Sequence, residues 1–388
     1  MSLSEGENMT RNGRIFCTRC IYDDGVPGIH FDTSGVCSYC HQIDRLVEEY
    51  GTGGPKGHQT MREIVERVKS EGRGKKYDCL VGVSGGTDSS YMVHMVREWG
   101  LRPLAVHYDN TWNSSVATLN IHQVLKYFDV DLHTHVVSNI EIDDIFRSFF
   151  RAGVAELEAS TDLGFAWVLR EAAAEFGVRY VFEGHSFVEE GISPLASNYF
   201  DGRYIREIHR QYGSLPMSTY PLMTLSRFLF SCLVTGVNFV RPFWYLRYSK
   251  SEARQFLENN CQWNYYGGHH LENRMTSFLH TEYLPRKFNT DFRNNNLAAR
   301  VRTGQMDRLA AIDEYLKPPM PDPELVNYFK RRLQIDDEEY ESVMSESPRP
   351  WTDFPTYKRH FETLRPLFYM LAKANRVPKS FYLKYCRK

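Results

Sequence analysis

At 388 residues the chain exceeds the usual size of one compact core, which predicts a large α/β domain with smaller appended parts. Its 42% hydrophobic and 24% charged residues fit a folded globular protein and exclude a disordered one. With 47 Lys and Arg against 48 Asp and Glu, a net charge of -1 offers a polyanion no global field, so bulk nucleic-acid binding is not expected.

The opening Met1-Ser2-Leu3-Ser4-Glu5 lacks the basic segment and apolar run of a secretory leader, and the cytoplasm is the expected compartment. Residues 1–50 then carry two CxxC pairs, Cys17-Thr-Arg-Cys20 and Cys37-Ser-Tyr-Cys40, at the spacing of a four-thiolate zinc site. Four thiolates complete a tetrahedral shell and leave no open position for chemistry, so residues 1–50 are expected to form a zinc ribbon with a structural metal and His41 as a spare ligand candidate. The segment between the pairs has too little apolar mass to fold alone, and metal ligation supplies the missing stability. Residues 51–75 read as a linker or helix.

From Tyr77 an apolar run, a glycine turn and a helical pattern ending at Gly100 form one β-loop-α unit, the start of a domain expected over 76–275. In Ser84-Gly85-Gly86-Thr87-Asp88-Ser89-Ser90 the glycines permit a tight turn and close approach, the hydroxyls add donors, and the helix start offers free N–H groups. An anionic phosphate is the suited guest, and Mg²⁺ would reconcile Asp88 with it. Strands at 101–108, 132–137 and 179–182 alternate with helices at 115–128 and 162–176, which predicts a doubly wound, Rossmann-like parallel sheet. Ligands of such sheets sit at the carboxyl ends of the strands, where Asp109, Gly184 and His185 also fall.

Leu225 to Val240 is apolar but shorter than the roughly 20 residues of a membrane span, and is expected to be a buried helix. The aromatic residues concentrated after residue 145 are expected to fill a core. Arg274, Arg286, Lys287, Arg293, Arg300 and Arg302 face only Glu282 and Asp291 between 274 and 302, an excess suited to a diphosphate. Residues 276–388 read as a helical region for substrate or partner.

The string SGGTDSS resembles the PP-loop of the adenine-nucleotide α-hydrolase-like ATP pyrophosphatases and lacks the Gly-Lys-Ser/Thr of Walker A. That resemblance implies adenylation, with Asp109 against adenosine, Gly184 and His185 bordering ATP, and Glu189 and Glu190 where relatives often hold magnesium. The opening Cys-Thr-Arg-Cys, Phe31 to Cys40, SGGTDSSY, Tyr266-Gly-Gly-His269-His270-Leu-Glu-Asn273 and Leu284-Pro-Arg-Lys-Phe288 together resemble the N-acetyl sugar amidotransferases of the WbpG and PseA type.

This second resemblance implies an ATP-dependent enzyme that turns the N-acetyl group of a nucleotide-linked sugar into an acetamidine, for lipopolysaccharide O-antigen or another surface polysaccharide. Asp88, Lys287, His269 and His270 are its candidate catalytic residues, and Arg274, Arg286 and Arg293 its candidate phosphate ligands. No Cys, His and Glu glutaminase set is recognisable, so ammonia is expected from a separate glutaminase subunit with a channel-forming partner. A tRNA-thiolating PP-loop enzyme is the alternative, disfavoured by neutral charge and the lack of a third CxxC.

Overall fold

The computed structural model describes residues 10–11, 13–192, 199–268, 271–320, 322–374, 376–377 and 379–386. A short hairpin, β1 (Thr10–Arg11) and β2 (Arg14–Ile15), opens the chain and leads through the cysteine pairs into α1 (Ser38–Tyr50). Helix α2 (Pro55–Glu71) follows, with Pro55 in its first turn, and buries Met61, Val65 and Val68.

The apolar run at Cys79 forms β3 (Cys79–Gly82), the middle strand of a five-stranded sheet. The others are β4 (Pro103–Asp109), β5 (Asp131–Val136), β6 (Tyr180–Phe182) and β7 (Asn238–Val240), all parallel, in the order β5-β4-β3-β6-β7. Period-two alternation sends Leu80, Leu104 and Val106 into one core and Cys79, Val81 and Ala105 into the other. Helices α2, α3 (Thr87–Glu98), α4 (Ser115–Phe128) and α9 (Lys250–Cys261) cover the second face. Helices α5 (Asn139–Ala152), α6 (Ala159–Glu175) and α7 (Gly202–Tyr212) cover the first. Both faces are therefore dry, as a parallel sheet requires, and the doubly wound expectation holds. The chain steps outward from β3 to β5 and then crosses to β6, so its topological switch lies between β3 and β6.

The stretch from Leu225 to Val240 departs from the expected single buried helix. Helix α8 (Leu225–Phe230) runs into a π turn (Ser231–Thr235), stops at Gly236 with φ +66°, and continues as β7. Phe228 and Cys232 are buried, but Phe230, Leu233 and Val234 are exposed at 58, 57 and 65%. The reading failed because an apolar run hid a left-handed glycine stop.

Helices α10 (Arg274–Phe278) and α11 (Leu284–Phe288) flank a second π turn (Leu279–Tyr283) and are followed by α12 (Arg293–Arg302) and α13 (Arg308–Leu316). Phe278 stacks on Phe329 at 3.7 Å, so the carboxy-terminal helices extend the first core. Phe146, Phe149, Phe150 and Tyr204 are fully buried in it, as expected of the aromatic residues. Leu297, Ala298, Ala311 and Ile312 of α12 and α13 instead share a core with the four amino-terminal cysteines. Among the described residues, no helix is long and apolar enough to cross a membrane.

Candidate functional site

The glycine turn between β3 and α3 is held by its neighbours. Gly85 has φ +82°, and its carbonyl accepts Trp263 Nε1 at 3.0 Å and Asn120 Nδ2 at 3.4 Å. A Cβ on Gly85 would lie 2.3 Å from the Ala117 carbonyl oxygen, so α4 packs against the turn where only glycine fits. Gly86 caps α3 without a side-chain hydrogen bond. The N–H groups and positive dipole end of this helix suit an anion. Ser84 Oγ accepts Gly86 N–H at 3.3 Å and lies 3.2 Å from Ser89 Oγ.

Ser84, Gly86, Asp88 and Ser89 line a cavity of about 1600 Å³, while Thr87 and Ser90 are buried beneath it. Single small-ligand pockets run to about 1,000 Å³, so this cavity has room for a nucleotide and a second substrate.

Asp88 is tied on both oxygens: Tyr248 donates to Oδ1, and Lys250 Nζ donates to Oδ2 at 2.7 Å. Burial alone would push the Lys250 ammonium down, but Asp88, Glu190 and Glu272 together hold it above its ordinary value. One ammonium among three carboxylates leaves negative charge that a divalent cation accompanying ATP would neutralise. Thr87 N–H donates to Tyr266 Oη at 3.4 Å, and Ser84 Oγ reaches Glu272 at 3.4 Å. Lys250 and Tyr248 were not singled out in the sequence, and Tyr266 entered only as the start of the Tyr266–Asn273 motif. Lys250 stands 162 residues from Asp88, and its surroundings read only as a helix start capped by Ser249.

Other expected residues scatter. Gly184 packs on the loop, since a Cβ there would lie 2.7 Å from the Asp88 carbonyl. His185 lines the cavity, with Nδ1 accepting Trp244 Nε1 at 3.0 Å and Nε2 3.6 Å from Glu190. Asp109 turns into its own loop to accept Thr111 N–H at 2.7 Å and Asn113 Nδ2 at 3.2 Å. His107, Asn110 and Asn113 line the cavity near it. Glu189 is buried and accepts both contacts from Gln305 Nε2, at 2.8 and 3.0 Å. Among the described residues, Asp88, Glu189 and Glu190 do not form one three-ligand group.

The basic residues of 274–302 are mostly engaged elsewhere. Arg274 lies over the Tyr328 ring at 4.7 Å, and Arg286 pairs with Glu282 at 3.2 Å and with Glu341. Lys287 is buried, donates to the carbonyls of Val343 and Glu346, and does not line the cavity. Arg293 lines the cavity, but Asp291 and the carbonyls of Glu314, Tyr315 and Lys317 take up its guanidinium. Arg300 is exposed and lines the cavity. His269 and His270 lie outside the described residues.

Glu156, buried in the cavity wall, accepts Tyr204 Oη at 3.0 Å, and burial pushes its carboxyl up to about 7. The folded state thus keeps a proton that the unfolded chain, at 4.5, has lost. Stability is complete below that lower value and falls as pH rises toward 7. Glu156→Gln is expected to remove this fall, gaining up to ~3 kcal/mol over the parent by pH 8. Denaturant titrations at pH 4.5 and 8 check it; an unchanged difference between the two proteins would contradict the assignment.

The four ribbon sulfurs converge to within 4.8 Å of one another, with Cys17–Cys40 at 3.9 Å and Cys20–Cys37 at 3.8 Å. A tetrahedral zinc tetrathiolate places its sulfurs about 3.8 Å apart, so the set fits the metal. Backbone N–H groups of Arg19, Tyr22, Cys37 and Cys40 point at sulfurs from 3.2 to 3.4 Å, as in thiolate knuckles. His41 is not a fifth member: its Nε2 contacts Asp32 at 2.7 Å because the first turn of α1 directs it outward.

Residues 272–367 match the family model described as the LPS biosynthesis protein WbpG-like C-terminal domain. An uncharacterized protein of Methanocaldococcus jannaschii is 25% identical over 239 residues, covering 58% of this chain and 80% of its own. Among solved structures, NMN synthetase of Francisella tularensis aligns with TM-score 0.30 and 10% identity, over 73% of this chain and 95% of its own. The NH3-dependent NAD synthetase of Campylobacter jejuni aligns with TM-score 0.29 and 11% identity, over 76% and 98%. The matched domain begins where Asn273 Nδ2 donates to Asn110 at 2.9 Å and Asn113 at 3.1 Å, against the cavity. The chain thus carries a WbpG-like C-terminal domain over 272–367, beside a glycine turn on a doubly wound parallel sheet.

Proposed function

We propose that the protein is an AMP- and pyrophosphate-forming amidotransferase that converts the N-acetyl group of a nucleotide-linked sugar into an acetamidine. The observation that carries this reading is the glycine turn at the switch point of the sheet, opening with the α3 amides and Lys250 into one cavity roomy enough for two substrates. The description of the matched carboxy-terminal domain supports a place in lipopolysaccharide biosynthesis.

An acetamide resists ammonia because resonance makes its oxygen a poor leaving group. In the proposed reaction that oxygen attacks the α-phosphorus of ATP, and pyrophosphate departs with the broken P–O bond. Ammonia then adds to the imidate carbon and gives up a proton, the C–O bond breaks, and AMP leaves an amidinium behind. The turn and α3 amides hold phosphate oxygens, and Lys250 exchanges Asp88 for the charge developing on them. Asp88 and Glu190 are the acids that would hold a magnesium ion accompanying ATP, which would neutralise phosphate charge. Arg300 faces the diphosphate of the sugar. Ammonia comes from a separate glutaminase through a channel-forming partner, and the reaction takes place in the cytoplasm.

Incubation with ATP, magnesium, ammonium and a panel of N-acetylated nucleotide sugars tests this. AMP should appear in step with a sugar whose oxygen has been exchanged for NH. Release of ADP and orthophosphate would sink the proposal.

A further inference from the structure

Arg302 closes α12 with a guanidinium buried against the ribbon, and all three side-chain nitrogens lack a hydrogen-bond partner among the described residues. A buried cation without such partners is unfavourable unless opposite charge surrounds it. Its neighbour is the Tyr22 ring, 5.4 Å from the guanidinium carbon, and Tyr22 N–H points at Cys20 Sγ at 3.4 Å, which sets the guanidinium beside the sulfur knuckle. Gly191 closes the other side, where a Cβ would lie 3.2 Å from Nη2.

Protonated thiols would leave this cation uncompensated. Four thiolates around a divalent metal carry a net formal charge of about −2, the sign the site requires. Further contacts tie the same knuckle to the carboxy-terminal helices. Arg308 donates to the carbonyls of Cys17 at 2.6 and 2.9 Å and Cys20 at 3.1 Å, while Tyr22 Oη donates to Asn295 Oδ1 at 2.7 Å.

We infer that Arg302 is the counter-charge of the metal tetrathiolate, and that the metal thereby latches α12 to the ribbon as one wall of the substrate cavity. That wall is specific: α12 contributes Arg293, Asn295, Asn296, Leu297 and Arg300 to the cavity lining. The ribbon is thus a positioning element for the pocket, and its metal acts there through charge rather than chemistry. The inference rests on metal occupancy of the cysteines and is independent of which substrate the cavity takes.

The full chain, purified with its metal, tests it in two ways. Arg302→Met keeps length and removes charge; it should release metal to a colorimetric chelator roughly tenfold faster, the loss typical when a partner of metal ligands is removed. Arg302→Lys should recover part of that loss. Amide exchange over 293–302 should rise in Arg302→Met and in metal-stripped parent protein, while α3 and α4 stay protected. Unchanged metal release in Arg302→Met would overturn the inference, as would unchanged exchange over 293–302 after stripping. The stripped parent decides the matter alone if Arg302→Met does not fold.

Discussion

Lys250→Met is expected to lower ATP-dependent AMP release at least ~100-fold, the loss typical of removing one preorganised donor from a developing anion. The substitution also leaves Asp88 with Tyr248 as its side-chain donor among the described residues, in a site where the two side chains are only 20 and 15% exposed. Stranding a carboxylate in that way costs about 3 kcal/mol. The two effects separate in the Asp88→Asn/Lys250→Met double variant, which removes both charges. Its thermal midpoint should return toward the parent while AMP release stays low. AMP release from Lys250→Met within about twofold of the parent, measured at saturating ATP, would remove Lys250 from the phosphate-binding role.

Gly85→Ala is the second large effect. Its φ of +82° already costs an L-residue about 1 kcal/mol. The added methyl would also meet the Ala117 carbonyl oxygen at 2.3 Å and its carbon at 2.8 Å, both backbone atoms of α4 that cannot rotate away. The turn must therefore shift, and ATP affinity by calorimetry is expected to fall at least ~100-fold, as binding groups move by about 1 Å. Gly74 provides the control, with φ +76° and no atom within 4 Å of the place a methyl would take. Gly74→Ala should show the backbone cost of about 1 kcal/mol with ATP binding intact. Equal ATP affinities for the two variants would mean that the turn does not hold the nucleotide.

The sequence made the local units readable and the long-range ones obscure. Helix α4 spans Ser115–Phe128, the range that periodicity assigns it, and the SGGTDSS turn lies between β3 and α3 as read. Both are short-range signals in which spacing and turn chemistry agree. The cysteine pairs were legible for the same reason, because CxxC spacing imposes the knuckle. The excess of Arg and Lys over 274–302 was misleading, since counting charges ignores partners from other segments. Glu341 pairs with Arg286, and the carbonyls near 343–346 absorb Lys287. Lys250 was missed by the converse: its significance arises only when the crossover brings α9 against the loop.

The core shared by the ribbon and α12–α13 also constrains the order of events on the ribosome. Arg308 donates to the Cys17 carbonyl across 291 residues of chain, so the cysteines emerge long before their packing partners are made. Phe16, Ile21 and Tyr22 therefore emerge long before the α12 and α13 residues that cover them, and this core closes only after the sheet has been made. Chains truncated before α12 should therefore leave the amino-terminal segment open to protease.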